Sequence, residues 1–209
     1  MPELALAREQ YRAGKNALFE SLATSGASTR AIRGALQKLS RHTDATLQKL
    51  WALADFAPDV CLVAAGGYGR GELFPRSDVD VLLLLPDDSV VDDNPQLKTK
   101  IESFISNCWD TGLEIGSSVR TLSDCAEEAA KDVTVQTSLL EARLLAGSKT
   151  LFTALIKRLD AALDAAALLR GARLRIIRVA AVAVARVWPN CASRAALSVV
   201  FEGGATHRW

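Results

Sequence analysis

Residues Val60 to Leu85 read VCLVAAGGYGRGELFPRSDVDVLLLL, and this stretch decides what the chain can be. An apolar run from Val60 to Ala65 has the length of a buried strand, breaks at Gly66-Gly67 and passes into a polar turn rich in Gly and Arg. A second apolar run, Val79 to Leu85, begins just after Asp78 and carries Asp80 near its start. Alternate strand residues share a face, so Asp78 and Asp80 are expected side by side at the strand's beginning. Two carboxylates that close repel each other unless a cation lies between them, and the fitting ion is a hard divalent one such as Mg2+, which takes oxygen ligands together with substrate phosphates. Glycines directly before such a pair let backbone approach a triphosphate with no Cβ in the way. Either feature alone is weak, because a GG pair is usually a turn and a lone DxD usually solvated. Their occurrence in order, strand, GG, basic turn, DxD, strand, points to nucleotide chemistry.

The pattern hGG, short spacer, DhD resembles the DNA polymerase β nucleotidyltransferase superfamily. The fuller string GGYGRGELFPRSDVDVLLL, with Arg70, Glu72, Pro75 and Ser77 matching, is similar to the N-terminal domain of the bacterial PII uridylyltransferase/uridylyl-removing family. The resemblance implies an α/β (α+β) core with a mixed sheet and helical flanks at both ends. It also implies transfer of UMP from UTP to the PII signalling protein, with Gly66, Gly67, Arg70 and Ser77 at the nucleotide and Asp78 and Asp80 holding magnesium. A site of this type generally uses a third carboxylate on a neighbouring strand, and Glu114 is the candidate; its alternative is an exposed strand end. Arg120 is either a clamp for phosphate or a structural ion-pair partner.

Composition sets the outer bounds. The 209 residues are 49% apolar, enough for a core, and 25 Lys plus Arg against 24 Asp plus Glu leave a net charge of +1. No basic field advertises a nucleic-acid partner. Cys61, Cys108, Cys125 and Cys191 form no CxxC pair and have no His at zinc spacing, so they read as reduced thiols of a cytoplasmic protein. Charges interrupt every apolar run in MPELALAREQYRAGK, and neither a signal peptide nor a membrane anchor is expected.

In chain order, helical spacing predicts one helix over Glu3 to Ala23, a break at Ser25-Gly26-Ala27, and a second helix capped by Ser28 or Thr29 and running through Leu53. Arg30, Arg33, Lys38, Arg41 and Lys49 give it a basic face, read as solvated, and His42 is read as solvated too. Asn94-Pro95 predicts the start of an amphipathic helix to Asp110. Residues 113–120 follow as a third strand. The string WDTGLEIGSSVRTLSDCAEEA matches the family here, except that Ser117 stands where the family commonly has His. Beyond it, LSDCAEEAAKD and TVQTSLLEARLLAGSKTLFTALIKRL read as two or three helices, TSLLEARLLAG matching a helical segment of the family.

Three regions are therefore expected: 1–57 helical, 58–164 the nucleotidyltransferase core, and 165–209 a basic Ala- and Arg-rich tail with seven Arg and one acidic residue, Glu202. The tail departs from the family, which continues into HD and ACT domains, and is read as the product of a shifted frame or a degenerate gene end. On that reading the chain is a truncated form without uridylyl removal or glutamine sensing. Two rivals stand beside it: an adenylyltransferase acting on a protein or small molecule, and a weakly catalytic fragment that binds nucleotide or partner.

Overall fold

The computed structural model describes residues 2–24, 28–89, 91 and 93–161. The expected tail from residue 165 onward, Cys191 and the Ser25-Gly26-Ala27 break lie outside them. The elements run α1 (Pro2–Thr24), α2 (Thr29–Ala54), β1 (Cys61–Ala64), α3 (Gly66–Gly69), β2 (Val79–Leu85), α4 (Pro95–Thr111), β3 (Ile115–Thr121), α5 (Leu122–Lys131), α6 (Val133–Leu140), β4 (Arg143–Gly147) and α7 (Lys149–Ala161). The strands make one mixed sheet in the order β3-β2-β1-β4.

Local chemistry sets the helix ends. The Ser28 side chain accepts the Ala31 amide at 3.2 Å to start α2, and the Asn94 side chain accepts the Leu97 amide at 3.0 Å to start α4, with Pro95 at the first helical position. Gly112 at φ 94° ends α4, its amide returning to Cys108 and Trp109 carbonyls. Thr121 and Asp124 exchange side-chain-to-amide bonds at 3.2 and 3.0 Å, a capping box that starts α5.

β1 pairs antiparallel with β2, so the glycine turn and the polar loop after it join their ends on one side of the sheet. β2 pairs parallel with β3, with Asp80 opposite Gly116, and α4 makes the crossover that a parallel pair requires. Alternation then splits the sheet between two apolar layers. One face carries Leu62, Val79, Val81, Leu83 and Ile115 against Tyr11, Leu47, Leu50 and Phe104 of α1, α2 and α4. The other carries Val63, Leu82 and Leu84 against Cys125, Leu139, Leu155 and Leu159 of α5, α6 and α7. The N-terminal helices thus share a core with the sheet, and Met1–Ala162 forms one compact unit. Among the described residues no helix is long and apolar enough to cross a membrane.

The mixed sheet and helical flanks agree with the expected fold class. Three local expectations are corrected. The segment read as helical, LLEARLLAG, ends α6 at Leu140 and continues as strand β4, which pairs antiparallel with the free edge of β1. Leu and Ala are good helix formers, but intrinsic propensity is a small effect per residue, and pairing with the unsatisfied amides and carbonyls of the β1 edge outweighs it. Gly147 at φ 85° closes this edge so tightly that a Cβ there would lie 2.2 Å from the Val60 carbonyl. His42 is not solvated: it is half-buried, its Nε2 3.0 Å from the Tyr11 carbonyl and its ring stacked on Tyr11 at 5.5 Å, which pins α1 to α2. The third strand begins at Ile115 rather than Leu113, which is buried just before it.

Candidate active site

The glycine turn and the DxD pair meet at one end of the sheet. Ala65, at the N-terminal edge of α3, donates its amide to the Asp80 carbonyl at 3.0 Å, so the turn hangs directly on the strand that carries Asp80. Strand β2 is buried throughout except at Asp80. The Asp80 carboxylate occupies a gap between two bare backbones. A Cβ at Gly116 would lie 2.8 Å from Oδ1, and one at Gly66 would lie 3.5 Å from Oδ2. Gly66 has φ 55°, the left-handed region that L side chains rarely adopt, so its backbone conformation favours glycine there. The Ser138 hydroxyl of α6 reaches the same place, 3.3 Å from that Cβ position.

The other residues named from the sequence are arranged unequally around this point. Asp78 is exposed and immediately precedes β2. Gly67 is next to Arg70, whose guanidinium would lie 3.5 Å from a Cβ there. Arg70 is exposed and held by acids, with Nε 3.4 Å from Glu72 and Nη1 bonded to Glu141; Glu72 in turn lies 3.6 Å from Arg33. Ser77 donates its hydroxyl to the Phe74 carbonyl at 3.0 Å. Glu114 is exposed, its carbonyl accepts the Val79 amide at 2.8 Å, and its charge adds to the burial that raises the Tyr11 hydroxyl above its ordinary pKa. Arg120 pairs in register with Leu84, four residues along β3 from Gly116. That is about 13 Å away at strand rise. Its charge acts on Asp124 and Cys125 of α5, so it is not brought to the glycine turn.

Residues 15–118 match the family described as "Putative nucleotidyltransferase DUF294". They form a DUF294 nucleotidyltransferase domain. The chain is 49% identical over 168 residues to the bifunctional uridylyltransferase/uridylyl-removing enzyme of Cupriavidus metallidurans and 51% identical over 172 residues to that of Cupriavidus pinatubonensis. It is 48% identical over 166 residues to that of Burkholderia lata. Each match covers 79% of this chain and 18 to 19% of the relative, in the relative's N-terminal region. The chain therefore spans about a fifth of the length of the curated relatives it matches.

The described residues hold functional candidates that the sequence alone did not suggest. Arg143 of β4 grips Asp44 of α2 with both ends of its guanidinium, at 2.8 and 3.1 Å, and the Tyr68 hydroxyl of α3 donates to the same carboxylate at 2.6 Å. Gly116 and Ser138 join them. Gly116 carried a usable signal, since it lies two residues after Glu114 on a strand facing the DxD strand. Arg143 was obscured because its segment read as helical, Ser138 of α6 carried no spacing signal, and Asp44 lies too far along the chain for any spacing rule.

The donor set suits a hard cation. Among the described residues no three His, Cys, Asp or Glu side chains gather into a metal cluster, so Glu114 is not drawn in with Asp78 and Asp80 as a third ligand. Two carboxylates beside glycine backbone, with the remaining positions left to phosphate oxygens and water, match the way magnesium is held at nucleotide sites. Asp78 and Asp80 would hold it.

Proposed function

We propose that this nucleotidyltransferase domain transfers UMP from UTP to a hydroxyl of a PII signalling protein in the cytoplasm. The observation that carries the reading is the Asp80 carboxylate set between Gly66 and Gly116, positions where a Cβ would meet its oxygens at 3.5 and 2.8 Å. A carboxylate on a strand end, flanked by glycine backbone at Gly66 and Gly116 and next to a glycine turn, suits a phosphate-bridged metal. The uridylyltransferase names of the relatives support the choice of nucleotide.

The acceptor oxygen would attack the α-phosphorus, forming one P–O bond as the bond to pyrophosphate breaks. Gly66 and Gly67 let the backbone lie against the phosphates, and Asp78 and Asp80 hold the magnesium. Magnesium held there would supply the charge that lowers the pKa of the acceptor hydroxyl and offsets that of the departing pyrophosphate. Arg70 exchanges its Glu141 partner for a phosphate oxygen, and Ser77, one residue before Asp78, supplies a further polar contact. Glu114 is the group proposed to help take the acceptor's proton.

The test is transfer of label from α-labelled UTP to purified PII protein with magnesium, run beside ATP, CTP and GTP. Label from UTP alone is expected. Preference for ATP would replace the reading with adenylyl transfer, and nucleotide binding without turnover would leave a binding fragment.

A further inference from the structure

The charged cluster of Asp44, Tyr68 and Arg143 lies beneath the glycine turn, and the chemistry above gives it no task. Arg143 makes four hydrogen bonds from its guanidinium. Two go to Asp44; Nε donates to the Gly69 carbonyl at 3.2 Å and Nη2 to the Tyr68 carbonyl at 3.4 Å. Those two carbonyls belong to the last residues of α3. The guanidinium also lies 5.6 Å from the centre of the Tyr68 ring. Tyr68 is 2% exposed, and burial together with the Asp44 charge raises its hydroxyl far above the ordinary range, which keeps it a donor to Asp44. Burial pulls Arg143 down, but Asp44 and Tyr68 together outweigh it and the net direction is up.

These contacts converge on a segment whose one side chain, that of Tyr68, is packed in the core. Three of the four residues of α3 are glycine, so side chains cannot define its position, apart from Tyr68. Gly69 lies against backbone so closely that a Cβ would be 2.1 Å from the Glu141 carbonyl and 3.1 Å from that of Ala64. At its leading end the turn is tied to Asp80 through the Ala65 amide. A glycine-rich tetrapeptide held at its leading end by β2 and at its trailing end by a planar bidentate fork has its register set relative to Asp80. A lysine would carry the charge without the fork.

We propose that Asp44 and Arg143 are positioning residues for the nucleotide. By clamping Tyr68 and Gly69, they fix where Gly66 and Gly67 present their backbone to the triphosphate, and they make α2 a working part of the site. The proposal rests on the nucleotidyl-transfer reading above.

The experiment compares Arg143→Lys, Asp44→Asn and the milder Tyr68→Phe with the whole wild-type chain, each held well below its melting temperature. Read-outs are KM for UTP, KM for the acceptor, kcat, and amide hydrogen exchange over residues 64–72. Loosening the clamp is expected to raise KM for UTP about tenfold or more for Arg143→Lys, the scale of one lost charged hydrogen bond. Acceptor KM should stay within about twofold, with faster exchange confined to the turn. A merely structural cluster predicts otherwise, because partial unfolding lowers the amount of active protein and hence the apparent kcat but leaves both KM values alone. Unchanged KM for UTP with a lowered melting temperature would overturn the proposal. If Arg143→Lys and Asp44→Asn do not fold, Tyr68→Phe is judged by the same criteria. If the wild type transfers nothing, the proposed function falls on its own, and exchange at 64–72 still decides the clamp: localised acceleration supports it, and uniform or absent acceleration refutes it.

Discussion

At Asp80 a charged side chain sits on a strand whose other residues are all buried, with glycine on both sides. Asp80→Asn removes the charge at almost constant volume, so magnesium-dependent transfer is expected to fall by about a hundredfold or more, with the melting temperature nearly unchanged. Near-normal turnover would remove Asp80 from the metal site. Gly116→Ala probes the same carboxylate from the other side. Its Cβ would arrive 2.8 Å from Oδ1, too close for either group to stay where it is. A one-carbon side chain has few ways to yield, so the Asp80 carboxylate must turn, and kcat is expected to drop about tenfold while stability holds. Full activity in Gly116→Ala would mean that the position of that carboxylate does not matter.

Among the elements, β4 and α2 make opposite predictions for the same change. Gly147→Ala would put a methyl 2.2 Å from the Val60 carbonyl at φ 85°, and is expected to cost about 2–4 kcal/mol. Gly34, in α2, has nothing within 4 Å of its Cβ position, so Gly34→Ala should stabilise the fold by about 0.5–1 kcal/mol. Denaturant midpoints measured together check both signs. The start of α5 adds a pH dependence. The Thr121 amide holds the Asp124 carboxyl below its ordinary value, and the Ser123 amide at 2.6 Å does the same for Asp87, which also lies 3.1 Å from Arg158 of α7. Because both folded-state values are depressed, their stabilisation is present above the unfolded-state value of about 4 and is lost as pH falls through the lower folded-state values. Melting curves taken from about pH 7 to about pH 2 should therefore be flatter at the acid end for Asp87→Asn/Asp124→Asn than for the wild type. Equal acid sensitivity would show that other carboxylates dominate.

For the whole molecule, the described helices on both sides bury the sheet. A chain ending at Asp164 is accordingly expected to melt and bind nucleotide like the full one. Loss of about 2 kcal/mol or more, the scale of one large core side chain, would show that residues from 165 onward pack into the fold. The same closure explains why the helical region before residue 58 does not behave as a detachable flank. Tyr11, Leu39 and Leu47 belong to the same apolar layer as Leu62 and Leu83, and Asp44 reaches the glycine turn.

What the sequence determined by itself was whatever local chemistry controls. The break at Gly66-Gly67, the caps at Ser28 and Asn94 and the strand Val79–Leu85 all follow from φ preference, period or side-chain hydrogen bonding within a few residues. Tertiary structure decided what depends on partners distant in the chain. Arg143–Gly147 becomes a strand because β1 offers an unpaired edge. His42 is drawn in by a carbonyl 31 residues away. Gly116 matters because parallel pairing sets it against Asp80, and Asp44 and Arg143, 99 residues apart, join only where α2 and β4 meet beneath the turn. Spacing rules reach about one helical turn or one strand pair, and contacts made across the chain lie beyond them.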